Sequence, residues 1–171
     1  MNSTFQLGLL GISAWATGML VAVGVAVADS QTLSAERLLD VCSSRTIAEV
    51  TVKGGRLGWE VIPSTDPSTV SWRQSFISYN GGSVDVVGWR KRSTDNEETI
   101  SFWVAQGPNA HKACSYSIKV AGRLLDDLTE SLGRPSQFDK DEVATTAFWK
   151  RGSGEISFSQ VGLTATVVIS P

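Results

Sequence analysis

Residues 123–135 read Arg-Leu-Leu-Asp-Asp-Leu-Thr-Glu-Ser-Leu-Gly-Arg-Pro, and this stretch decides the fold class. Leu124, Leu125, Leu128 and Leu132 fall on one face of a helix, while Asp126, Asp127, Thr129 and Glu130 fall on the other. Gly133 followed by Pro135 ends it, because glycine accepts a left-handed cap and proline cannot continue the hydrogen-bond ladder. The spacing predicts a helix over Arg123–Leu132. The period then changes. After a polar loop reaching Glu142, the segments Ala144–Lys150, Glu155–Gln160 and Leu163–Ser170 read as strands, with Gly152-Ser153-Gly154 and Gly162 at the turns. A helix that leads into an antiparallel meander, instead of alternating with strands, marks an α+β chain.

The preceding segment extends the pattern. Cys114, Tyr116, Ile118 and Val120 alternate with Ser115, Ser117 and Lys119. The same apolar residues also fit a helical heptad running on to Leu132, but the β-branched, serine-rich content favours a strand over 112–119. Thr99–Ala105 is a strand with Ile100, Phe102 and Val104 on one face, joined through the Gly107-Pro108-Asn109 turn. Ser83–Lys91 is another, in which Val84 and Val86 alternate and Val87 and Trp89 then change phase at Gly88, the mark of a bulge. From Asp66 to Tyr79 the signals conflict. Asp66-Pro67 reads as a cap with proline at the first helical position, and Trp72, Phe76 and Tyr79 recur at helical spacing before Gly81, yet Val70 and Trp72 also suit a strand. The helix is preferred.

Further toward the start, Ile47–Lys53 and Leu57–Ile62 are expected as strands of a hairpin turning at Gly54-Gly55. Ser34 caps a short helix carrying Ala35, Leu38, Leu39 and Cys42 on one face. Both halves therefore place a helix ahead of antiparallel strands, an echo of a duplicated unit. The expected architecture is a single α+β domain, an antiparallel sheet with two or three helices packed on one face.

Ahead of this domain, Phe5–Ala28 contains no charged residue, and every Lys, Arg, Asp, Glu and His of the chain follows it. Such a run is long enough to cross a bilayer. Ala26-Val27-Ala28 before Asp29 supplies the small-residue junction of a secretory signal peptide, although Met1–Gln6 lacks a basic residue. The division expected is a signal peptide over 1–28, with an uncleaved anchor as the alternative, and an exported domain over 29–171. A periplasmic or secreted location follows, or a membrane-anchored one with the domain outside the cytoplasm. In an oxidising compartment the two cysteines, Cys42 and Cys114, are expected to form a disulfide.

Composition narrows the chemistry. With 15 basic and 17 acidic residues the net charge is −2, which gives no basic field for nucleic acid. The one histidine, His111, lies in the turn after Pro108, and no nucleophile elbow surrounds any serine, so His111 reads as a solvated loop residue. Once the cysteines are bridged, a transition-metal site has no ligand set. The acidic run Asp139, Asp141, Glu142 lacks the spacing and glycine of a calcium loop, and Asp126-Asp127 reads as the wet face of a helix. No catalytic, metal or cofactor residues are assigned.

The aromatic content remains. Trp59, Trp72, Trp89, Trp103 and Trp149 follow the leader, three of them directly before a basic residue. If Phe102 faces the core, Trp103 faces the other side of the sheet and is exposed unless a helix covers it. Trp103, Trp89 and Arg90 are the candidate binding face; the Arg90-Lys91-Arg92 cluster suits an anionic lipid headgroup or an acidic partner, or simply guards an edge strand. The expected function is non-enzymatic binding or adaptation of a protein or cell-envelope component. A small carboxylate-based hydrolase of envelope material and a membrane-tethered structural protein are the alternatives.

Overall fold

The computed structural model describes residues 32–170, so the leader and its junction at Ala28 lie outside the described residues. Ser34 caps the first helix, α1 (Ala35–Cys42), its hydroxyl accepting from the Arg37 amide at 3.3 Å. Next comes α2 (Ile47–Gly55), where a hairpin strand was expected. Thr46 accepts from the Glu49 amide at 3.1 Å while the Glu49 carboxylate accepts from the Arg45 amide at 2.9 Å. That reciprocal capping starts a helix and overrides the β-branched content. The predicted second strand of that hairpin shrinks to β1 (Glu60–Val61).

Asp66 and Pro67 do open a helix, α3 (Pro67–Asn80), which ends at Gly81 in the left-handed conformation. Then follow β2 (Val84–Arg92), β3 (Glu97–Ala105), β4 (Lys112–Ile118), α4 (Leu124–Leu132), β5 (Gln137–Lys140), β6 (Ala144–Arg151), β7 (Gly154–Val161) and β8 (Thr164–Ser170). The strand β5 replaces an expected loop; its four residues are all exposed and hold one apolar side chain, so there is no alternation to read.

All eight strands form one antiparallel sheet in the order β1-β2-β3-β4-β8-β7-β6-β5. Read inward from either edge, the order is the same. Each half is a meander preceded by a nine-residue helix, α2 or α4, and the halves meet at the β4–β8 pair. A repeated plan is therefore present, but its first helix is α2, which the sequence read as a strand, and α3 interrupts it between β1 and β2.

Three helices, α1, α2 and α4, cover one face. Their apolar stripes close over Trp89, Ile100, Phe102, Tyr116, Trp149, Phe158 and Val167. Within this core the Cys42–Cys114 disulfide links the end of α1 to β4 across 72 positions, and both cysteines are buried. Closing so long a loop stabilises by about 4 kcal/mol through the unfolded chain. The fourth helix, α3, lies on the opposite face over Val84, Val86, Trp103, Ala105 and Ala113.

This two-sided cover explains β2. Its ladder runs without a break from Val84↔Ala105 to Arg92↔Glu97, so no bulge forms at Gly88. Val84 and Val86 meet α3 while Val87 and Trp89 meet the core beneath α2. A strand buried on both faces loses its polar alternation, which imitates a change of phase. Among the described residues no helix is long and apolar enough to cross a membrane.

Candidate functional site on the partly covered sheet face

Because α3 belongs only to the first half, the sheet face it shields is divided. Under the helix the strands are apolar. Beyond it, the register lines up Ser101 with Ser115, Thr99 with Ser117, Ser117 with Thr166, and Ser115 with Val168. One strand further, Ser157 and Ser159 stand beside Val168 and Thr166, followed by Phe148 and Thr146. Ser157, Ser159 and Thr146 are exposed, and Thr166 and Phe148 half-buried. Sequence and cover agree: where no helix lies, the face is hydroxyl-rich.

At the border between the two zones is a groove of about 300 Å³. Its wall is aromatic, from Trp72 and Phe76 of α3 with Trp103 of β3. Its floor is Thr99, Ser101, Ser115 and Ser117, closed at the far side by Val168. Phe76 stacks on Trp103 with ring centroids 4.3 Å apart and planes 16° from parallel. The Trp103 indole Nε1–H donates to His111 Nε2 at 3.2 Å, and His111 Nδ1 lies 3.0 Å from the Asn109 carbonyl. With Nε2 accepting, Nδ1 carries the proton and donates to that carbonyl. The His111 ring meets Tyr79 edge-on, and Asn109 Nδ2 donates to the Tyr79 carbonyl at 3.3 Å. His111 is thus half-buried and engaged instead of solvated. It anchors the indole and ties the β3–β4 turn to the end of α3.

The other end of α3 is fixed by charge. Asp66 accepts from the Ser68 amide at 2.9 Å and from the Ser68 hydroxyl, and these bonds hold its carboxyl below the usual range, with Arg90 assisting. Arg90 lies 3.7 Å from Asp66 and 3.4 Å from Glu60.

The three residues expected to share a binding face are not brought together. Trp103 points to the α3 side and Trp89 to the opposite side, as their partners Val86 and Ile100 fix. Trp89 is 2% exposed beneath α2, and Trp103 is 7% exposed because α3 covers it. Arg90 shares the Trp103 face but is committed to Glu60 and Asp66. What Trp103 contributes is one edge of the groove, and the polar floor beside it was not foreseen. The signal was present in Thr99, Ser101, Ser115 and Ser117, which alternate with core residues along β3 and β4.

The acidic run is also dispersed. Asp139 lies in β5, whereas Asp141 caps the following turn, accepting from the Val143 and Ala144 amides, both at 2.7 Å.

An aromatic wall beside a hydroxyl floor, with no charged side chain in the lining, suits one kind of ligand. Each hydroxyl is donor and acceptor at once, so it matches a neutral polyol in either sense. The indole and phenyl faces accept the apolar flank of a ring that carries those hydroxyls.

Compared with known protein families, with curated proteins and with solved structures, the chain finds no match.

Proposed function

We propose that the protein is an exported, non-enzymatic binding domain that holds a neutral polyhydroxylated component of the cell envelope, a glycan strand, along the α3-bordered groove and the hydroxyl face continuing from it. The observation that carries this reading is the lining of the groove: Trp72, Phe76 and Trp103 against Thr99, Ser101, Ser115 and Ser117, without a charge. Export is supported by the uncharged Phe5–Ala28 run and by the Cys42–Cys114 bridge, which suits an oxidising compartment. The groove contains no carboxylate, so the hydrolase alternative draws nothing from it.

The test is calorimetric titration of the full chain with neutral oligosaccharides, N-acetylglucosamine oligomers and β-glucan fragments among them. Saturable binding is expected, weakened at least tenfold by Trp72→Ala and several-fold by Ser117→Val. Neither variant touches the face of the sheet covered by α1, α2 and α4. If no neutral oligosaccharide binds, or if binding ignores both substitutions, the reading fails.

A further inference from the structure

On the helical side of the sheet, cations from three separate elements converge on a second cleft, of about 690 Å³. Arg37 comes from α1, Lys91 from β2, and Arg123 from the residue preceding α4. Leu57, Trp59 and Leu124 supply an apolar wall. Opposing charge is sparse. Asp127 is the one carboxylate of the lining. Beneath it, Glu98 lies buried; it accepts from the Tyr116 hydroxyl at 2.7 Å and the Leu33 amide at 3.0 Å, and lies 3.5 Å from Lys91. Arg37 donates to the Arg56 carbonyl at 2.6 Å. Neither Arg37 nor Arg123 is paired with a carboxylate among the described residues.

A protein of net charge −2 thus gathers three cations around one cleft, where Glu98 answers Lys91 and Asp127 is the one carboxylate of the lining left to face Arg37 and Arg123. Two guanidinium groups lining one cleft favour an anion placed between them. Guanidinium groups present paired donors that fit the oxygens of a phosphate. The half-buried Leu57 and Trp59 add what a bare anion does not need: a surface for an apolar body joined to the charged group.

We infer that this cleft binds a phosphate-bearing amphiphile, the phosphate on Arg37 and Arg123 and its apolar portion against Trp59. The site is separate from the groove, on the other face of the sheet, and its test stands apart from the glycan test. The full chain is titrated calorimetrically at low salt with dihexanoyl phosphatidic acid below its micellar concentration, with phenyl phosphate, and with inorganic phosphate. Saturable binding of at least one of the first two is expected, at least tenfold tighter than inorganic phosphate and weakened at least fivefold by Arg123→Gln. A preference for the lipid points to a membrane headgroup as the source, and a preference for phenyl phosphate to a soluble phosphorylated compound. Arg123 is exposed and holds no carboxylate, so an unchanged thermal midpoint shows that the variant folds. Absence of saturable binding by both amphiphiles, equal affinity for inorganic phosphate, or indifference to Arg123→Gln with the fold intact overturns the proposal.

Discussion

Trp89 lies against Gly54, so closely that a β-carbon on the glycine would come within 2.3 Å of the indole ring. Its neighbour Gly55 has nothing within 4 Å of the same position. The two glycines of one helix therefore answer differently to the same change. Gly54→Ala is expected to overpack the core and cost about 2 kcal/mol. Gly55→Ala is expected to gain about 0.5 kcal/mol from helix propensity. Urea unfolding midpoints of the two variants check the opposite signs.

Trp103→Ala removes a buried indole and its stacking partner's support. The expected loss is about 3–5 kcal/mol, as for other large-to-small aromatic changes. Trp103→Phe keeps the stack on Phe76 but leaves His111 Nε2 without its donor, for a loss of about 1–2 kcal/mol. A variant series by chemical denaturation separates the two contributions.

The disulfide is out of reach of solvent in the folded protein, since Cys42 and Cys114 are both 0% exposed. Iodoacetamide is expected to label neither cysteine unless reductant and denaturant are both present, read by intact mass. Replacing both cysteines with alanine is expected to cost about 4 kcal/mol in stability.

Burial and the Glu98 carboxylate beside it push the Tyr116 hydroxyl well above the ordinary tyrosine range. A group raised in the folded state keeps its proton there and releases it on unfolding at high pH. Its contribution is complete below about pH 10 and declines as pH rises beyond that. Stability measured between pH 8 and 11 is expected to fall more steeply for the parent than for Tyr116→Phe.

Asp66 and Asp141 behave oppositely, each held below the usual carboxylate range, chiefly by Ser68 for the first and by the Ala144 and Val143 amides for the second. Protons bind them more weakly in the folded state, so their contribution is full above about pH 4 and is lost as pH falls below it. Asp66→Asn and Asp141→Asn are expected to flatten the decline in unfolding midpoint between pH 5 and 2.

The parts of this fold legible in the sequence were those decided by neighbours a few residues apart. Asp66-Pro67 and Gly81 bounded α3, Gly133 and Pro135 ended α4, and the two cysteines left one pairing. Gly54-Gly55 misled because the reason for Gly54 is Trp89, in a strand far along the chain that no local signal connects to it. His111 read as solvated because its partner Trp103 lies across a turn and its neighbour Tyr79 in another element. The cationic cleft was hidden for the same cause: Arg37, Lys91 and Arg123 share no periodicity and meet only once α1, β2 and the start of α4 have packed. Of the candidate groove, Trp103 was singled out correctly as facing away from Phe102, while the helix that covers it and the serine floor beside it became visible only in three dimensions.

The palindromic strand order has a consequence for the life history of the chain. The strand that joins the two meanders, β8, is the last to be made, yet it occupies the centre of the sheet beside β4. A polypeptide emerging amino-terminus first leaves β4 as an open edge until residues 164–170 arrive. Completion is therefore a single late event that recruits both halves together. Such a topology leaves the seam between the halves to the last of the eight strands, so the sheet is two separate meanders until β8 pairs with both β7 and β4.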